Sequence, residues 1–85
     1  MPIFGECQSA QSLYQVVITD LEEVGCWAHF EGQIPCADVL DLWIGAVGPF
    51  AGRVRSRHSS MLEIQFAEPL DRRLTLHFAE FPTDG

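Results

Sequence analysis

The sequence predicts a mostly β fold, a small antiparallel barrel or sandwich with one amphipathic helix at its C-terminus. Three observations carry this. Five short runs rich in β-branched and aromatic residues follow one another closely, separated by turn residues. Apolar and polar side chains alternate with period two along 39–45, 50–58 and 60–67. The period then becomes helical, placing Leu70, Leu74, His77 or Phe78, and Phe81 on one stripe. With 85 residues, 47% of them hydrophobic, the chain suits one small domain with one core.

Each element has a local reason. Residues 1–12 are polar and lack a clear period, so they read as a flexible leader or an edge arm. "LYQVVITD" (13–20) is a strand, and "GCWAHF" (25–30) returns beside it after a short acidic loop. Gly25 is expected to supply the left-handed backbone that such a connection needs. "EGQIPCAD" (31–38) is a loop punctuated by Gly32 and Pro35. In 39–45, Leu40, Leu42 and Ile44 share one face, and Val39, Asp41 and Trp43 share the other. "AVGP" (46–49) reads as a turn. The next strand puts Phe50, Gly52, Val54 and Ser56 on one face and Ala51, Arg53, Arg55 and Arg57 on the other. Leu62, Ile64 and Phe66 point inward from the last strand. Pro69 suits the first helical position, and Pro82 ends the run. The domain thus spans 13–81, with a short tail at 82–85.

The charge balance restricts the partners. Twelve Asp and Glu face five basic residues, all arginine, for a net charge of -7. The phosphate field of a nucleic acid repels such a chain unless its arginines cluster, so no nucleic-acid partner is expected. No apolar run is long enough to span a membrane, and the N-terminus lacks the basic and apolar regions of a signal peptide. Cys7, Cys26 and Cys36 form no CxxC pair, and their odd number does not suggest a disulfide framework, so the expected location is the cytosol. Whether any of the three thiols is reactive depends on its exposure.

No constellation for catalysis stands out. Cys26, His29 and Cys36 give C-x2-H-x6-C, but positions 26 and 29 of one strand point to opposite faces, so no metal site is expected. Ser59 and Ser60 follow His58 without a nucleophile elbow, and Asp38 and Asp41 are distant in sequence. No glycine loop is suited to cradle phosphate. The chain reads as a non-enzyme. Its most chemical features are the acidic turn in "TDLEEVGCW" and the alternate arginines Arg53, Arg55 and Arg57, which period two would place on one face as a candidate anion site. The alternative for those arginines is a solvated face paired to carboxylates such as Glu63.

The order of elements resembles the PilZ domain family. The stretches "VVITDLEEVGCWAHF" and "VLDLWIGAVGPFAGRVRSRHSSMLEIQFAEPL" carry the resemblance, which covers roughly residues 13–81. It implies a six-stranded antiparallel β-barrel with a C-terminal helix, and cyclic di-GMP as the family's ligand. That ligand is held by an RxxxR arm before the first strand and a D/N-x-S-x-x-G turn after it. On "DLEEVG", Asp20 and Gly25 match the turn, whereas Glu22 stands at the Ser position. The arm is missing, since 1–12 contain no arginine. Each hydrogen bond to a charged group contributes ~1.5–3 kcal/mol, so losing two arginine contacts costs roughly 3–6 kcal/mol. Glu22 adds a like charge beside the phosphate position.

The expectation is therefore a degenerate PilZ-like domain: a regulatory or protein-interaction module, without a cofactor, that binds a protein partner or itself. Trp27 and Trp43 are either outward contact residues for that role or parts of the core. Asp20, Glu22 and Gly25 form the vestigial turn. The alternative is a cyclic di-GMP receptor using Arg53, Arg55 or Arg57 in a rearranged site.

Overall fold

The structure, a computed structural model, describes residues 3–80, and the side chains of 79 and 80 are excepted. Six strands are followed by one helix. They are β1 (Ile3–Ser9), β2 (Ser12–Thr19), β3 (Gly25–Phe30), β4 (Val39–Ile44), β5 (Val47–His58), β6 (Met61–Phe66) and α1 (Arg72–Glu80). The strands close into an antiparallel barrel in the order β1-β2-β3-β6-β5-β4, with β4 returning to β1. The six-stranded barrel with a C-terminal helix is thus the observed fold. The expected tail at 82–85 and the stripe position Phe81 lie outside the described residues.

Alternation builds the core. Ile18, Leu42, Ile44 and Leu62 are fully buried, with Val16, Ala28, Phe30, Ile64 and Phe66 packed around them. Cys7 and Cys26 occupy inward positions of β1 and β3 and are buried in the same cluster. Burial pushes both thiols up to about 12, with a smaller push from Asp41 on Cys7 and from Cys7 on Cys26.

The first correction concerns the N-terminus. Ile3–Ser9, expected as a flexible leader, form a strand that pairs with both β2 and β4 and closes the barrel. Its inward positions are Gly5, Cys7 and Ser9, which are small, so the stripe carries little apolar signal. At Gly5 the absence of a side chain is required. A Cβ on Gly5 would run into the Trp43 carbonyl oxygen and stand 2.8 Å from Ile18 Cδ1.

The second concerns the helix start. The helix begins at Arg72, so Pro69 lies in the connection before it. Asp71 is the capping residue, because its Oδ1 accepts from the Arg73 backbone N–H at 2.8 Å. The Arg73 guanidinium adds a second bond to Asp71 Oδ2 at 3.0 Å, which holds that carboxyl below its usual range. Leu74 and Phe78 pack on the barrel core, whereas His77 is exposed. Phe78 lies against Gly45, so α1 covers the barrel end that carries the β2–β3 and β4–β5 turns. The opposite end is crossed by 31–38, which joins β3 to β4 on the far side of the ring. Ile34 packs on the core, and Pro35 is buried.

Both tryptophans alternate outward from buried neighbours and are half-buried on the barrel exterior, not in its core. Trp27 lies against the His58 ring, with centroids 5.6 Å apart. Trp43 packs on Gly48, where a Cβ would stand 3.1 Å from its ring.

Candidate binding site

The acidic turn is built by its backbone. Asp20 takes a left-handed conformation (φ 52), and the Glu22 N–H donates to the Gly25 carbonyl at 2.8 Å. Asp tolerates this region better than most residues. Gly25 does not supply the left-handed residue, contrary to expectation. It serves close approach instead, since a Cβ there would run into the Ile64 carbonyl oxygen on β6. Two neighbouring carbonyls are also used. Val24 accepts from the Phe66 N–H at 2.8 Å, and Glu23 accepts from the Leu70 N–H at 2.7 Å. The turn therefore fastens the end of β6 and the approach to α1.

The arginine ladder does not survive folding as one face. Val54 pairs with Ile64 and Ser56 with Glu63, so Arg55 is an extra residue, a β-bulge. The bulge reverses the alternation beyond it. Arg57 then pairs with Leu62, a core position, rather than with an outward residue. Its guanidinium turns to the strap at 35–38 and donates to three carbonyl oxygens: Pro35 at 2.7 Å, Cys36 at 3.2 Å and Ala37 at 2.8 Å. Asp38 stands 3.7 Å away. Arg57 is thus occupied by the chain itself.

Arg53 and Arg55 point into different hollows. Arg53 borders a broad groove of about 750 Å³, with Gln8, Val39, Asp41, Ala51 and Gln65. Arg55 borders a cleft of about 290 Å³ that also takes in Asp20, Glu22, Gly25, Trp27 and Glu63. Among the described residues, neither arginine makes a side-chain hydrogen bond or ion pair. The structure therefore joins the turn residues Asp20, Glu22 and Gly25 to one of the three arginines. In that cleft three carboxylates face one guanidinium, a balance that opposes a polyanion.

Other sequence candidates are dispersed. Cys26 is buried, the His29 ring bonds Thr19 Oγ1 at 2.9 Å, and Cys36 lies in the exposed strap. Among the described residues, no three His, Cys, Asp or Glu could hold a metal. Sequence reading missed the Trp27–His58 pair and the acceptors of Arg57. The first depends on register across β3, β6 and β5. The second depends on a bulge that the unbroken alternation of "RVRSRH" conceals.

Comparison with protein-family models, with curated proteins and with solved structures finds no match in any of the three. No helix among the described residues is long and apolar enough to cross a membrane.

Proposed function

We propose that the chain is a non-enzymatic, PilZ-like signalling module that acts through protein contacts and has lost cyclic di-GMP binding. One observation carries this reading: beside the turn the one arginine is outnumbered by carboxylates, Arg57 is committed elsewhere, and Arg53 borders a separate groove. Arg57 is held by three carbonyls, and Arg55 faces Asp20, Glu22 and Glu63. A bound phosphate at the turn would add negative charge to a cleft that already has an excess of it. The turn's backbone, meanwhile, has a structural task that explains its retention without a ligand. Exposed Phe4, Leu13, Val39 and Val47 supply apolar surface suited to protein contacts. The unpaired cysteines suit a reducing compartment, which supports a cytosolic site of action.

A second reading has one observation in its favour. Arg53 and Arg55 are unpaired, and Arg55 lies beside the turn at which the family resemblance would put the nucleotide. An amide chemical-shift titration with cyclic di-GMP separates the two. Unmoved signals for Asp20, Gly25 and Arg55 support the interaction module, whereas saturable shifts at those three establish the receptor.

A further inference from the structure

Three outward side chains stand in one row across the barrel wall. Met61 of β6 pairs with His29 of β3 on one side and with His58 of β5 on the other. Directly opposite residues of antiparallel strands share a face and lie about 5 Å apart. That face is the exterior, because Ala28 and Leu62, the chain neighbours of His29 and Met61, are buried in the core. The row thus places a thioether between two imidazoles. Met61 and His29 are half-buried, and His58 is exposed. Two contacts position the rings. The Thr19 hydroxyl bonds His29 Nε2 at 2.9 Å, so Nδ1 is the open nitrogen of that ring. The Trp27 ring lies against His58 with centroids 5.6 Å apart. Trp27 stands on β3 and His58 on β5, so the indole reaches across β6, beside Met61. Among the described residues, the His58 nitrogens make no hydrogen bond.

This donor set has a chemical preference. A thioether is a poor ligand for hard cations, which take oxygen, and for Zn(II), which takes a tetrahedral set of thiolate, imidazole or carboxylate. Thioether and imidazole together suit Cu(I) and the similar Ag(I), soft cations that need few ligands. We propose that Met61 Sδ, a ring nitrogen of His58 and Nδ1 of His29 bind one soft monovalent metal ion, Cu(I) or Ag(I), on the barrel exterior. The strand spacing of about 5 Å lets the flanking imidazoles lean over the central thioether to meet the ion. The His29 Nε2–H donates to Thr19 Oγ1, which fixes the tautomer that frees Nδ1. The Trp27 indole shields one side of the ion from water, and its face attracts a cation. The net charge of -7 favours a cation's approach. Because one ligand is a thioether, the site needs no cluster of three His, Cys, Asp or Glu, and none is present among the described residues. This inference stands apart from the reading of the chain as an interaction module.

Calorimetric titration with silver nitrate in chloride-free buffer tests it. Cys36 is an exposed thiol that takes the same metal, so every measurement uses Cys36→Ser as its background. Cys7 and Cys26 are buried in the core. This background is expected to bind one equivalent of Ag(I). Met61→Leu keeps the side-chain volume and removes the sulfur. It should weaken binding by about ten-fold or more, and so should His58→Gln and His29→Gln. A thermal melt of each metal-free variant verifies folding. His58 is exposed at a hairpin end, so His58→Gln keeps the test decisive should a more buried change unfold the chain. A background that binds no Ag(I), binding that a folded Met61→Leu or His58→Gln leaves unchanged, or tighter binding of Zn(II) than of Ag(I) would each overturn the proposal. No nucleotide enters this titration, so its failure leaves the functional reading to its own test.

Discussion

The guanidinium of Arg57 donates to the carbonyl oxygen of Pro35 at 2.7 Å, across 22 positions of sequence. The same group reaches the carbonyls of Cys36 and Ala37, so one side chain at the end of β5 ties down the strap that crosses the barrel. The Arg57 side chain remains 35% exposed, which lets water replace part of what it provides. Arg57→Ala should lower the unfolding free energy by about 1–2 kcal/mol, from the loss of charge-assisted bonds discounted for that exposure. Arg55→Ala, at an exposed bulge without a partner, should stay within about 0.5 kcal/mol of the wild type. Urea denaturation of the two variants reads this contrast. Equal effects at 55 and 57 would refute the division of the ladder.

Gly25 and Asp20 make a second contrast within the acidic turn. Gly25→Ala places a methyl group against the Ile64 carbonyl, where the neighbour is backbone and cannot swing away. It should cost about 1–3 kcal/mol, as overpacking in a tight contact does. Asp20→Gly, at φ 52, relieves a left-handed residue and should be neutral or slightly stabilising. Thermal unfolding monitored by circular dichroism distinguishes the two. A larger loss at Asp20 than at Gly25 would mean that the turn depends on the carboxylate.

The buried thiols set an alkaline limit. Cys7 and Cys26 titrate at about 12 in the folded chain against 9.0 for a free thiol, chiefly because burial disfavours the thiolate. Between those values the unfolded chain has released the protons that the folded chain still holds, so stability falls as pH rises. Below pH 9.0 both states keep them, and the thiols add no pH dependence. Each thiol contributes a slope of up to about 1.4 kcal/mol per pH unit inside the window. Urea midpoints measured from neutral pH to about pH 11 should drop above about pH 9, as this linkage requires. The double variant Cys7→Ala/Cys26→Ala should flatten that drop even if its stability at neutral pH is lower.

Much of the fold was legible because alternation in β4, the first part of β5, and β6 maps directly onto burial. Leu40, Leu42, Ile44, Leu62, Ile64 and Phe66 all lie in the core as their spacing requires. β1 was not legible from residue pattern. Its buried residues Gly5, Cys7 and Ser9 are small, Gly5 because a Cβ there would meet β4, and so short a stripe carries little hydrophobic signal. The site was legible in part. Asp20, Glu22 and Gly25 do share a cleft, and one arginine reaches it. The common face for Arg53, Arg55 and Arg57 failed because period two holds only while the ladder is regular. A single extra residue at Arg55 turns Ser56 and Arg57 to the opposite faces, and nothing in the local sequence marks it.

The backbone of the acidic turn fastens β6 and the approach to α1, and the proposed function requires that no nucleotide binds there. Calorimetric titration of the chain with cyclic di-GMP tests it most directly, run alongside Arg55→Ala. No heat of binding is expected at ligand concentrations up to about 1 mM, which bounds any affinity at about -4 kcal/mol. Saturable micromolar binding that disappears in Arg55→Ala would contradict it.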